Sequence, residues 1–370
     1  MDHGAPPLSG SGPCLPKRSM SPPTILYICG SINQTEQLHA VSKAMGPHLA
    51  RFTPYFGDAH VRLARGLGFL EATIAGNKRR GWCLDYLRDQ DLEIDEDGRR
   101  DDYDLVVTCS DLILPRIARE KPLVAVQEGI FDPDTWMSSL WRRARFLPMW
   151  LAGTSLTGES HVYDRYCVAS QGFKDRLVEK GADPSSVRVT GIPNFDDCKT
   201  FYENDFPHRG FVLVCTSDGR ETFKSDDRAA LVRKAREIAG GRELVFKLHP
   251  NEDPVAGPAE IARLAPEAKV YTTGKAEHMI ANCDVLVTEW SSTAFVGLAL
   301  GKELHSNFPR EELEKLAPVQ NGGRSATHIA DVVEEVHREL RGTRRSRFPS
   351  RARRGAEDHA PSSPAAEGSR

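Results

Sequence analysis

The sequence predicts an α/β protein made of two doubly wound domains that face each other across a cleft. Short runs of β-branched and apolar residues alternate with stretches of helical periodicity, the pattern of parallel sheets with helices on both faces. Ten such runs are present, more than one open sheet of ordinary size takes, so they divide into two series. The 370 residues are enough for two domains, each with its own core.

The strand runs, in order, are Thr24–Cys29, Phe52–Tyr55, Leu105–Cys109, Leu123–Val126, Arg165–Ala169, Val187–Thr190, Phe211–Thr216, Leu244–Leu248, Lys269–Tyr271 and Val285–Thr288. Helices fit between them: Asp227–Ala239 and Ala326–Leu340 carry a helical period, and Lys174–Lys180 stops at Gly181. The stretch Asp196–Gly210 is polar and turn-rich, and a fresh strand–helix series begins at Phe211. The expected division is a first domain over 23–196 and a second over 197–342. Residues 1–22 and 343–370 have the Pro-, Gly-, Ser- and charge-rich composition of disordered tails. The C-terminal tail is locally basic, and a solvated tail without a partner is its simpler reading.

Composition excludes several classes. The net charge is -3 with both signs mixed, unlike a dedicated nucleic-acid binder. No apolar run approaches the ~20 residues of a membrane span. The N-terminus has no apolar signal-peptide core, so the expected location is the cytoplasm, where thiols stay reduced. The eight cysteines form no C-x-x-C pair, which argues against a zinc ribbon. Cys29, Cys109, Cys167 and Cys215 lie inside strand runs and read as buried packing residues.

Doubly wound sheets bind ligands at the carboxyl ends of their strands, so polar residues just after strand runs are the candidates. Asp284–Lys302, DVLVTEWSSTAFVGLALGK, runs from a strand through Glu289-Trp290-Ser291-Ser292-Thr293 into a helix of small residues. Ser291, Ser292 and Thr293 then lie at a helix N-terminus, where free N–H groups suit a phosphate; plain N-capping is the alternative. In LVFKLHPNE, Lys247, His249, Asn251 and Glu252 cluster at a strand end. His249 can donate to a phosphate oxygen, act as an acid, or simply cap backbone. FVLVCTSDGRETF opens into a loop with Gly219 and Arg220, and the arginine could grip a diphosphate or stand on the surface. In the first half, Asp111 and Glu128 follow adjacent strand runs and are expected to face the cleft as acid or base, or else to cap local structure. Gly30 and Ser31, after the first strand, could approach a ligand closely. Residues 136–151 mix tryptophan with Arg142, Arg143 and Arg145; they could touch a membrane interface, or pack on their own domain. The residues offer no metal-ligand cluster.

The order and spacing of these pieces resemble the GT-B superfamily, whose two Rossmann-like domains enclose a nucleotide. The likeness spans most of 24–340. YDLVVTCSD, ending at Asp111, and VAVQEGI, with Glu128, are similar to strands that carry catalytic acids in the non-hydrolysing UDP-N-acetylglucosamine 2-epimerases. RVTGIPNFD is similar to their interdomain link, and LHPNEDPV to their His-Pro segment. EWSSTAF resembles the serine-pair motif of the CDP-glycerol glycerophosphotransferase-like proteins. There are departures. GSINQTEQ lacks the epimerase arginine, no acid stands at Ser138–Ser139, TSDGRETF has no histidine, and Phe295–Val296 replace a pair of ribose-binding glutamates. VQEGI also stands where the glycerophosphotransferase-like proteins have a His-Gly motif.

The resemblance implies a transferase that moves a glycosyl or polyol-phosphate group from a nucleotide-activated donor, of UDP or CDP type, to a hydroxyl acceptor, in the making of a glycan or glycoconjugate. Glu128, Asp111 and His249 are the expected catalytic residues. Ser291, Ser292, Thr293, Glu289, Lys247, Asn251, Gly219 and Arg220 are the expected donor site, and Gly30 and Ser31 the acceptor side. Cationic side chains and a helix end are expected to balance the diphosphate with no metal and no tightly bound cofactor. No nucleic-acid partner is expected. Peripheral contact at the inner face of a membrane, through 136–151, is the alternative to the favoured reading, in which that segment packs on its own domain. The alternatives are a UDP-sugar isomerase or hydrolase, and a catalytically silent nucleotide-binding scaffold.

Overall fold

The computed structural model describes residues 22–342, apart from 72, 132–133, 145–148 and 218–226. Among these residues the strands form one sheet of six and one of five, and every pairing is parallel. The first holds β1 (Thr24–Ile28), β2 (Leu49–Thr53), β3 (Leu105–Thr108), β4 (Leu123–Val126), β5 (Arg165–Val168) and β6 (Val187–Val189), in the order β2-β1-β3-β4-β5-β6. The second holds β7 (Val212–Cys215), β8 (Leu244–Lys247), β9 (Lys269–Tyr271), β10 (Val285–Thr288) and β11 (Glu303–His305), in the order β11-β10-β7-β8-β9.

The central strands are covered on both faces, which is why they read as unbroken apolar runs. Ile25 through Ile28 of β1 and Leu105 through Val107 of β3 are all buried. Each of the ten expected runs holds a strand, though β2 begins at Leu49, ahead of Phe52. β11 went unforeseen: Glu303-Leu304-His305 has one apolar residue and pairs on one side only, with β10.

The helices are α1 (Ile32–Ala44), α2 (Ala59–Gly66), α3 (Asn77–Asp89), α4 (Arg116–Glu120), α5 (Trp136–Arg143), α6 (Gln171–Glu179), α7 (Arg228–Ala239), α8 (Ala256–Leu264), α9 (Ala276–Asn282), α10 (Thr293–Ala299), α11 (Arg310–Leu316) and α12 (Ser325–Gly342). The last of these crosses back to the first sheet. Glu335 accepts from Arg165 of β5 at 3.2 Å and from Arg188 of β6 at 3.1 Å, and Glu334 accepts from the Gly46 N–H at 3.1 Å. Chain order alone places α12 with the second domain; its apolar face does not say which sheet it covers.

The two domains are locked at one end of their interface. Phe295 of α10 is 2% exposed and meets Phe173 and Phe195 of the first domain edge-on, at centroid distances of 6.1 and 6.2 Å. Ser170 Oγ donates to the Leu316 carbonyl at 3.0 Å, and the Val319 N–H to the Ala169 carbonyl at 2.9 Å. The seven described cysteines are reduced and buried; Cys14 lies outside the described residues.

Candidate functional site

In a parallel sheet, the loops that splay apart to leave room for a ligand lie where the strand order reverses. Here that is between β1 and β3 in the first sheet, and between β10 and β7 in the second.

On the first side, Glu128 sits in the loop after β4 and reaches over β3 to the start of α1. Ser31 Oγ donates to its Oε1 at 2.6 Å, and Gln34 Nε2 donates to its Oε2. Ser31 also caps α1, accepting from the Gln34 N–H at 3.2 Å, so the carboxylate rests on the positive end of a 13-residue helix. Gln34 is 4% exposed, and its amide fills the space beside residue 30: a Cβ there would lie 1.9 Å from its Oε1. Gly30 is therefore required for room rather than for backbone conformation. The loop itself is pinned. Gln127 donates to the Gly129 carbonyl at 2.6 Å and accepts from the Ala169 N–H at 2.9 Å, while Gln37 donates to the Gln127 carbonyl at 2.8 Å.

Asp111 does not join Glu128. It is 2% exposed, and its two oxygens accept from the N–H groups of Gly158 at 2.9 Å and Ser160 at 3.2 Å. Burial raises its carboxyl above the ordinary range, and the hydrogen bonds from Gly158 and Ser160 oppose that. The cleft-facing orientation expected for it is replaced by an anchoring one. The first residues after a strand can turn either way, and here the chain near 158 arrives to claim the carboxylate.

On the second side, the loops after β7 and β8 are tied together. Glu252 is the knot: its Oε1 accepts from Thr216 Oγ1 and from the His249 N–H (3.0 Å), and its Oε2 accepts from Arg228 at 2.7 Å. Both Glu252 and Arg228 are buried. The Asn251 N–H donates to His249 Nδ1 at 3.2 Å, which leaves the ring proton on Nε2. Lys247 is 5% exposed and lies beneath this loop, donating to the Leu248 carbonyl at 2.6 Å. Burial pulls its ammonium below the usual lysine range. At the reversal point itself, Ser217 Oγ donates to Glu289 Oε2 at 3.4 Å.

Ser291, Ser292 and Thr293 open α10 as expected. Ser291 Oγ accepts from Thr293 Oγ1 at 2.9 Å and from the Thr293 N–H at 3.3 Å. Ser292 occupies the N-cap position but makes no side-chain cap hydrogen bond, so simple capping does not account for it. It faces the first domain: a Cβ on Gly129 would lie 3.8 Å from Ser292 Cβ and 4.0 Å from its Oγ. The Glu128 loop and the Ser-Ser-Thr turn thus meet across the cleft. Farther along it, Glu36 of α1 comes within electrostatic reach of Lys275 and Glu277 of α9. Desolvation raises the Glu36 carboxyl; Lys275 opposes this and Glu277 adds to it.

The structure therefore brings Gly30, Ser31 and Glu128 together and sets Ser292, beside Ser291, against the Gly129 position next to them, with His249, Asn251 and Glu289 on neighbouring loops and Lys247 underneath. Gly219 and Arg220 lie outside the described residues, as do Arg145 and the side chain of Trp150. In the remainder of 136–151, Arg142 is committed to Glu159 at 2.7 Å and Asp134 at 2.8 Å. Gln34 was not foreseen, and Glu252, placed in the strand-end cluster, ties loops together rather than facing a ligand. Gln34 had a signal, since Ser31-Ile32-Asn33-Gln34 is a capping-box pattern, but its side chain turns to Glu128 rather than back to the cap. Among the described residues no cluster of His, Cys, Asp and Glu could hold a metal ion, and no helix is long and apolar enough to cross a membrane.

No protein-family model matches the chain, and no curated protein matches its sequence. Solved structures do match. S. aureus MnaA, solved with UDP, aligns with a TM-score of 0.52 at 12% identity, over 86% of this chain and 90% of its own. The UDP-GlcNAc 2-epimerase of Methanocaldococcus jannaschii, in complex with UDP-GlcNAc and UDP, aligns with a TM-score of 0.51 at 11% identity, over 86% and 98%. The fold is GT-B. The wall teichoic acid polymerase TagF also aligns, with a TM-score of 0.48 at 8% identity over 86% and 90%. At such identities the likeness establishes the GT-B architecture, and the chemistry has to be argued from the site. Phe295 is buried core at the domain contact, and an acid at that position would be stranded without solvent.

Proposed function

We propose that this GT-B protein transfers a glycosyl or polyol-phosphate group from a nucleotide-activated donor to a hydroxyl acceptor. The observation that carries the reading is the approach of the Glu128 loop to the Ser-Ser-Thr turn, close enough that a Cβ placed on Gly129 would touch the Ser292 side chain at 3.8 Å. It supports a donor diphosphate at the start of α10, with an acid of the opposite domain beside it. The Ser292 hydroxyl and the Nε2–H of His249 donate to phosphate oxygens, with the buried Lys247 amine behind them. Each Glu128 oxygen already accepts one hydrogen bond and keeps capacity for another. Glu128 takes the proton of the acceptor hydroxyl as that oxygen bonds to the transferred group. The bond from that group to the departing nucleotide breaks, and the nucleotide phosphate carries the electron pair away. Asp111 holds the segment at Gly158–Ser160 in place. Its commitment there disfavours an isomerase that pairs Asp111 with Glu128 as acid and base.

The test is nucleotide release from UDP-, CDP-, GDP-, ADP- and dTDP-activated donors, with and without hydroxyl acceptors. The proposal expects release that depends on acceptor, and a loss of about 100-fold or more in Glu128→Gln with donor affinity kept. Release or epimerisation from donor alone supports the isomerase or hydrolase reading. Full turnover in Glu128→Gln rejects Glu128 as the base.

A further inference from the structure

The stretch from Ala59 to Trp82 is basic within this slightly acidic chain. It carries five cations, Arg62, Arg65, Lys78, Arg79 and Arg80, and a single acid, Glu71. That acid is spent internally: it accepts from the N–H of Asn77 at 3.2 Å and the side-chain amide of Asn77 at 2.7 Å, capping α3. The same stretch exposes large apolar side chains. Leu63 is 65% exposed, Leu67 63%, Phe69 78% and Trp82 37%. Leu63 and Leu67 are one helical turn apart and share a face, while α2 holds to its domain through Val61 on the opposite side. Arg62 pairs with Asp97, and Arg80 with the adjacent Glu96, which brings the end of α2 beside the start of α3. Lys78 lies 4.9 Å over the Trp82 ring.

Exposed leucine and phenylalanine side by side with Lys78 and Arg79 are the chemistry of a surface made for anionic lipid, while Asp97 and Glu96 engage Arg62 and Arg80 at its rim. The apolar groups enter the acyl boundary while arginine and lysine meet the phosphates. A nucleic acid would not need the leucines, and an apolar protein partner would not need the charge. The stretch hangs from the carboxyl end of β2, the same edge of the sheet that carries Gly30 and Glu128. On α5, by contrast, Arg142 is tied up by Glu159 and Asp134, although Trp136 is 74% exposed.

We propose that the surface formed by the end of α2 and the start of α3 docks this protein on an anionic bilayer. It stands apart from the enzymatic reading and is tested without any substrate. The full chain is sedimented with vesicles of phosphatidylcholine alone and with phosphatidylglycerol mixed in. The expected result is binding to the mixed vesicles, little to the neutral ones, and release by high salt. The triple substitution Leu63→Ser, Leu67→Ser, Phe69→Ser should weaken binding by about tenfold or more. Lys78→Glu with Arg79→Glu should abolish the preference for anionic lipid. Val255→Ser, at a side chain 76% exposed on the second domain, should change nothing. The altered positions are exposed apart from the half-buried Arg79, and thermal melts of all variants, measured alongside, should match the parent. Wild type left in the supernatant overturns the proposal. So does unchanged binding by the triple variant, which would assign the lipid contact to another surface.

Discussion

Replacing Gly30 with alanine tests how Glu128 is held. The Gly30 backbone is not left-handed, so alanine brings no conformational penalty of its own. What it brings is a Cβ 1.9 Å from Gln34 Oε1 and 3.0 Å from Gln34 Cδ, with Ile74 at an ordinary 3.5 Å. The atom in the way is the tip of a flexible side chain, so the amide should swing aside and surrender its bond to Glu128. A hydrogen bond to a charged group contributes about 1.5–3 kcal/mol. The smaller freedom of alanine in the unfolded chain returns about 0.4–1 kcal/mol. The net loss expected from urea unfolding is then about 0.5–2.5 kcal/mol. The deciding arm is the double-mutant cycle with Gln34→Ala. Once the amide is gone, Gly30→Ala has nothing to displace and should be neutral or slightly stabilising. An equal loss in both backgrounds would refute the reasoning, because the glycine would then be needed for something other than room for Gln34.

Other expectations follow from the same contacts. Asp111 has a folded-state carboxyl raised by burial, so the folded chain binds its proton more tightly than the unfolded chain; the stability of wild type relative to Asp111→Asn should fall as pH rises from about 4. Glu159 is the opposite case. Burial alone would raise it, but hydrogen bonds from Arg142 and Lys180 outweigh that and hold it below the ordinary range, so its contribution is present at neutral pH and lost as pH falls below about 4. Unfolding midpoints of Glu159→Gln and wild type should therefore converge in acid. Glu252→Ala removes the carboxylate partner of a buried arginine and should cost about 3–5 kcal/mol in denaturant unfolding; a loss below about 1 kcal/mol would show that Glu252 is not the knot of its two loops.

The fold was legible because parallel strands buried on both faces leave long apolar runs between polar loops. β11 escaped because an edge strand needs only one packed face. The Ser-Ser-Thr turn was legible too, since strand, hydroxyl cluster and helix follow one another without a break. The hold on Glu128 was not. Ser31 and Gln34 are far from it in sequence, and they meet it because β1 and β4 lie two strand spacings apart, about 10 Å, a distance that three side chains together cross. Asp111 misled for a related reason: a carboxylate after a strand looks the same in sequence whether it faces the cleft or is claimed by passing backbone N–H groups. Lys247 ends its strand inside the domain, because the side-chain alternation of β8 decides its direction rather than the polarity of the neighbouring loop.

The central claim is that a nucleoside diphosphate docks where α10 begins, opposite Glu128. Backbone amide NMR of the full chain during titration with UDP, CDP, GDP, ADP and dTDP asks this directly. At least one nucleotide should shift the amides of Ser291, Ser292 and Thr293 together with those of Glu128 and Gly129, and Ser292→Val should weaken it while the distant amides stay still. If every nucleotide leaves those amides unmoved, or if the shifts fall on a surface away from the domain contact, the account of this cleft is wrong.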